Sequence, residues 1–421
     1  MENRIVALFL LVFAAEFLIE FALNELNLGY VRACWARKRI PEFFCTRLSA
    51  EAYEKSVRYT LAKGQFQRWS EIYSRLSILA ILFSGVLSFL DSLAGQIAEP
   101  FGLRPYGHGI VFCFSVGFVV VLARLPADLY SNFGLEAKFG FNKTTLSLYI
   151  ADKVKEAILA LLIGVPFLFV VLWLMRATGG YWWLWAFVFI TGFQVLMVVI
   201  FPTVIAPWFN KFEPLKEGEL RHRILELADQ IGFKTSGIYS MDGSKRSAHS
   251  NAYFTGIGKS KRIVLFDTLI EQMTVDQGLA VLAHEIGHYK MKHIRRMLMV
   301  QTGFLFVGLY VLSLLLDYPP LFAAFGLEPT PHAALVLFSL LSGPFTFYLG
   351  PLMNLLSRKH EYEADRFAAI TLHNGKPMEE ALINLTVKNL ANLTPHPWYS
   401  AYHYSHPTAT ERIEAIRQCP T

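Results

Sequence analysis

Residues 154–175 read VKEAILALLIGVPFLFVVLWLM, a run whose only charges, Lys155 and Glu156, stand at its start. About 20 helical residues cross a bilayer, so this run is long enough to span one. Working outward, comparable apolar runs lie at 5–24, 76–95, 109–126, 181–205, 298–317 and 333–356. The 421-residue chain is 54% hydrophobic and 17% charged, with a mean hydropathy of +0.37. A soluble domain carries about 25% charged residues, and here the apolar residues gather into long blocks instead. The expected fold is therefore mainly α, a seven-transmembrane-helix protein embedded in a lipid bilayer.

The net charge of +6 is distributed between these runs, not in one aromatic-laced patch. That distribution argues against nucleic acid and for topology signals. The first loop carries Arg32, Arg37, Lys38, Arg39, Arg47, Lys55, Arg58, Lys63 and Arg68. The third carries Lys138, Lys143 and Lys153, and the fifth Lys211, Arg221, Arg223, Lys245, Arg246, Lys259, Lys261 and Arg262. Even loops offer only Arg104 and Arg176. Basic odd loops put the N-terminus outside or in the lumen and the C-terminus in the cytoplasm. The first run is kept as a span, since it contains Glu16 and Glu20 and no small-residue cleavage site follows. Glu16, Glu20 and Gln194, with Pro166, Pro202 and Pro344, are read either as kinks and snorkelling or as faces lining a water-filled interior. Cys34, Cys45, Cys113 and Cys419 show neither metal spacing nor a disulfide framework. The tail Cys419-Pro420-Thr421 is one residue short of a prenylation box.

Residues 206–297 form the longest polar insert. An amphipathic helix is expected over 219–231, ended near Gly232. Strand-like runs at 250–255 and 262–266, with a turn at 256–261, read as a hairpin. A helix is expected from about Thr274, with Asp276 and Gln277 as capping candidates. It contains Val281-Leu282-Ala283-His284-Glu285-Ile286-Gly287-His288. Four residues advance a helix slightly more than one turn, so His284 and His288 share a face and can hold one Zn²⁺. Glu285 is then placed to take a proton from water at the metal. A catalytic zinc needs a third protein ligand. Ser357-Arg358-Lys359-His360-Glu361-Tyr362-Glu363-Ala364-Asp365 supplies it: Glu361 and Asp365 share a face, one to bind and one to orient. Glu363 and His360 point elsewhere and are weaker candidates. His406, before Pro407, reads from its residues alone as a turn histidine, and Asn251 as a polar strand end.

These segments closely resemble the type 1 CAAX prenyl proteases. The likeness extends to Asn132-Phe133, to Phe139-Gly140-Phe141-Asn142-Lys143-Thr144-Thr145, and to Lys245-Arg246-Ser247 with His249-Ser250-Asn251-Ala252-Tyr253-Phe254. It continues through Lys261-Arg262-Ile263-Val264-Leu265-Phe266-Asp267-Thr268-Leu269 and His406-Pro407. The resemblance implies one Zn²⁺ per chain on His284, His288 and Glu361, with Glu285 as general base. It implies that Asp365 and Arg358 stand behind the ligands, that Asn251 holds substrate backbone, and that His406 stabilises the oxyanion. It also implies seven spans around a water-filled chamber, joined to a cytoplasmic metallopeptidase domain with a short β-hairpin. Compact even-numbered loops suggest that any outer cap is reduced. The chain then divides into 1–205 (five spans), 206–297 (hairpin and metal-motif helix), 298–356 (two spans) and 357–421 (third ligand). The leading function is an endopeptidase cutting near the C-terminus of membrane-associated, prenylated CAAX proteins, in the endoplasmic reticulum of a eukaryote or the inner membrane of a bacterium. The alternative is a membrane-protein quality-control metalloprotease; a transporter or receptor with a structural metal is the third.

Overall fold

The computed structural model describes residues 1–102, 105–233, 235–255 and 262–419. The expected turn at 256–261, Arg104 and the tail residues Pro420 and Thr421 lie outside them. Most of the chain is helical: α1 Glu2–Ala36, α2 Ala50–Phe83, α3 Val86–Ala98, α4 Tyr106–Leu129, α5 Leu146–Ala177 and α6 Trp182–Ile200. After the polar insert begins, α7 spans Glu219–Gln230, α8 Val275–Lys290, α9 His293–Leu316, α10 Pro331–Leu341 and α11 Gly350–Thr371. Three shorter helices follow, α12 Lys376–Lys388, α13 Pro397–His403 and α14 Ala409–Arg417.

Five helical stretches are long and apolar enough to cross a membrane: Glu2–Ala36, Tyr106–Phe139, Leu146–Ala177, Gly179–Phe209 and His293–Leu316. The expected runs at 76–95 and 333–356 are not straight helices. The first straddles a 58° bend between α2 and α3, the second a 46° bend between α10 and the segment Gly343–Thr371. Gly85 makes the first break at φ +82°, a left-handed conformation that side chains with a Cβ resist. At the second, Gly343-Pro344 follows Ser342, and the proline cannot donate to the helix ladder. The membrane core packs around Phe112, Leu172, Phe322 and Leu337, all essentially sealed from solvent. Inside it, Glu16 pairs with Arg75, while Glu20 meets Gln67 at 3.2 Å and His403 at 3.4 Å. The intramembrane carboxylates thus have polar partners and face inward.

The expected hairpin is part of a four-stranded mixed sheet of order β1-β2-β4-β3, with β1 Phe212–Pro214, β2 Gly237–Met241, β3 Ala252–Thr255 and β4 Arg262–Phe266. β2 runs parallel to β4, and β1 and β3 are antiparallel to their neighbours. β1 is three residues ending in proline, and β2 mixes polar and apolar positions, so neither shows the alternation that marks a strand. β3 is the edge strand and packs against α8.

Two motifs that lie a hundred residues apart meet in one seam. Asn142 bridges Ser247, the Lys143 N–H donates to the Arg246 carbonyl at 3.0 Å, and the Ala248 N–H to the Phe141 carbonyl at 3.0 Å. Arg246 grips Asp152 of α5 through two bonds of 2.8 and 3.0 Å, and His249 stacks on Phe141 with ring centres 4.0 Å apart. These contacts tie the sheet-bearing insert to the ends of the membrane helices.

Candidate metal centre

Helix α8 begins with a reciprocal cap. The Thr274 hydroxyl accepts the Gln277 N–H at 3.3 Å and the Gln277 side chain accepts the Thr274 N–H at 3.4 Å. Leu282, Ala283 and Ile286 are buried, each large aliphatic contributing about 1.5–3 kcal/mol, and they set the rotation of the helix. That rotation turns His284 and His288 together, with Nε2 atoms 3.1 Å apart. Gly287 decides how near α11 can come: a Cβ there would meet the Ala364 Cα at 3.1 Å and its carbonyl oxygen at 3.2 Å. With no side chain on Gly287 and only a methyl on Ala364, the two helices lie almost backbone to backbone.

The close crossing delivers Glu361. Its Oε1 is 3.2 Å from His288 Nε2 and its Oε2 is 3.5 Å from His284 Nε2. One donor atom from each of the three residues lies within 4.8 Å of the others. Glu361 is buried, yet its Oε2 makes no hydrogen bond in the structure. That oxygen is ion-paired, with Arg412 Nη1 at 3.2 Å, but holds no well-formed hydrogen bond. Two imidazoles and a carboxylate converging on one point form a donor set that fits a divalent transition ion.

A layer of hydrogen bonds holds this set. Asp365, almost completely buried, takes the His284 Nδ1 side at 2.8 Å. Arg412 clamps Asp365 at both oxygens, 2.6 and 2.8 Å, and its Nη1 lies 3.2 Å from Glu361 Oε2. Burial pulls the His284 imidazole down, but its interactions with the Asp365 and Glu361 carboxylates outweigh it and lift it to about 9. A proton and a metal ion therefore compete for this ring. Burial also raises the Glu285 carboxyl above the ordinary glutamate range, which suits a group that takes and returns a proton.

His406 places Nε2 3.3 Å from Glu361 Oε1, with its other nitrogen 2.9 Å from Ser405 Oγ and most of its side chain open. Asn251 stands exposed just before β3. Its carbonyl accepts the Phe266 N–H at 3.1 Å and its side-chain oxygen the Ala252 N–H at 2.8 Å. Arg358 does not join the cluster: it approaches Glu411 at 3.9 Å. The guanidinium behind the ligands is that of Arg412, which the sequence reading did not single out. The available signal was Thr408-x-x-Glu411, a capping box that opens α14 and sets Arg412 one position on. Glu363, passed over as a ligand, reaches the cluster indirectly. It holds His293 Nε2 at 2.9 Å, and His293 Nδ1 sits 3.0 Å from His288 Nδ1. His360 stacks on His293 with ring centres 4.0 Å apart.

The chain matches two family models: "CAAX prenyl protease N-terminal, five membrane helices" over residues 31–211, and "Peptidase family M48" over 214–419. It is 37% identical to a CAAX prenyl protease 1 homolog of Arabidopsis thaliana, over 90% of both chains. It is 36% identical to CAAX prenyl protease 1 of Saccharomyces cerevisiae, over 90% of this chain and 88% of that one. The crystal structure of S. mikatae Ste24p superposes with a TM-score of 0.91 at 35% identity, covering 96% of this chain and 97% of the other.

Proposed function

This chain belongs to peptidase family M48 and is an integral multi-pass membrane metalloendopeptidase, and from that premise we propose that it cleaves prenylated CAAX proteins near their C-termini. The observation that carries the site assignment is the convergence of His284, His288 and Glu361 beside Glu285. In this reading the three ligands hold one zinc ion. Zinc so held would supply Lewis acidity and lower the pKa of water to about 7. Glu285 takes the proton of the attacking water and passes it to the departing amine. His406, open to the site and steadied by Ser405, donates to the carbonyl oxygen as charge builds there. The edge strand β3 pairs with extended substrate, and Asn251 at its start holds substrate backbone. Asp365 fixes the His284 ring with Arg412 locking Asp365, and His293 with Glu363 does the same for His288.

The two bent helix pairs count as spans, giving seven, with the four sequence divisions at 205, 297 and 356. The inward-facing Glu16, Glu20, Gln67, Arg75 and His403 support a water-filled chamber between the helices. The basic odd loops support an outside N-terminus and a cytoplasmic C-terminus, in the endoplasmic reticulum membrane of a eukaryotic host.

The test is incubation of the purified protein with farnesylated and unfarnesylated versions of one CAAX peptide, with products read by mass spectrometry. Preferential release of the C-terminal fragment from the farnesylated peptide is expected. Equal cleavage of both would overturn the prenyl assignment and favour a quality-control protease.

A further inference from the structure

A second group of metal-ligating side chains lies far from the catalytic cluster. Asp91 of α3, His108 in the first turn of α4 and His332 in the first turn of α10 each offer a donor atom within 4.8 Å of the others. His332 Nε2 is 3.0 Å from Asp91 Oδ1, and His108 Nε2 is 2.9 Å from the same oxygen and 2.9 Å from the Asp91 backbone carbonyl. The two rings lean together with centres 4.7 Å apart. The separation from catalysis follows from α4. Its continuation passes Glu136, 3.5 Å from His249 in the seam, and the helical rise from 108 to 136 is about 40 Å at 1.5 Å per residue.

We propose that Asp91, His108 and His332 form a second, non-catalytic divalent-metal site, taking zinc or a similar transition ion and pinning three helix ends together. The donor set is the same as at the catalytic cluster, two imidazole Nε2 atoms and one carboxylate. Among the described residues, the charge partners of Asp91 are these two histidines, with no lysine or arginine on its carboxylate. His332 is sealed in the core, whereas Asp91 and His108 remain about a fifth exposed. One wall is therefore dry and one side open, which lets an ion enter and leaves a position for solvent. Among the described residues no carboxylate other than Asp91 pairs with these histidines, so the role assigned to the site is structural.

The experiment loads full-length protein in detergent with Zn²⁺, removes excess by gel filtration and measures metal per chain by elemental analysis. Wild type is expected to hold two ions, one for each cluster. A His284→Ala/His288→Ala variant should keep one, and chelation of that ion should lower its melting temperature. A His108→Gln/His332→Gln variant should lose one ion while still cleaving peptide. One ion in wild type, or two still held after His108→Gln/His332→Gln, would overturn the proposal. In the first case the triad is a hydrogen-bonded latch only. Because metal is counted independently of hydrolysis, failure here is distinguishable from failure of the catalytic assignment.

Discussion

Around His284, His288 and Glu361 both imidazoles are backed by another group. Asp365 and Arg412 stand behind one ring, His293 and Glu363 behind the other, and the Glu285 carboxyl is near enough to feel both rings. Around Asp91, His108 and His332 the same donor types converge at similar distances with an aromatic neighbour, Phe112, 5.5 Å from the His332 ring, and among the described residues no carboxylate beyond Asp91 pairs with the two rings. Donor chemistry alone therefore does not tell the two clusters apart. What separates them is the neighbouring Glu285 carboxyl and the outer hydrogen bonds around His284 and His288.

The largest effect expected from this contrast is at Glu285. Glu285→Gln keeps the size of the side chain and removes the base, so hydrolysis should fall by about 10²–10⁴-fold, the usual worth of a positioned general base. Metal content, by elemental analysis, should stay at the wild-type value. Unchanged peptidase activity would erase the distinction between the clusters.

Next comes the outer layer. Asp365→Asn leaves the buried Arg412 with Glu361 as its remaining anion and loosens the His284 ring. Metal affinity at the catalytic cluster should drop about 10–100-fold, read by competition with a chelator. An affinity equal to wild type would show that the buried salt bridge serves folding and not ligand orientation.

A smaller effect tests helix spacing. Gly287→Ala forces a methyl toward Ala364 backbone, which cannot rotate away as a side chain can. The expected cost is about 1–3 kcal/mol, with a lower melting temperature and weaker metal binding together. A variant with wild-type melting temperature and metal content would mean that the crossing is not what delivers Glu361.

Much of this was legible in the chain because it depends on local pattern. The apolar runs announce membrane helices, and His284-Glu285-x-x-His288 announces its own face because helical geometry is fixed. The helix start near Thr274 and the capping role of Gln277 were legible, as were the two strands flanking 256–261, whereas Asp276, the other expected cap, gives way to Thr274. What escaped depends on long-range assembly. Arg412 looks like a surface arginine of a capped helix until α14 docks on α11. β2 gains its strand identity from its parallel neighbour β4, not from its own sequence. Asp91 and His332 are 241 positions apart and share no motif. The bends at Gly85 and Ser342 escaped for another reason: a window of hydropathy counts apolar residues without asking which backbone angles they adopt.

The stitching of residues 141–143 to 246–248 has a practical corollary. A soluble protease carved out by truncation before β1 would strip Phe141 from the ring of His249 and Asp152 from Arg246. The segment leading into the edge strand proposed to pair with substrate is thus anchored by the very helices such an excision discards. Efforts to obtain a detergent-free catalytic fragment should transplant that anchor or accept a misaligned cleft.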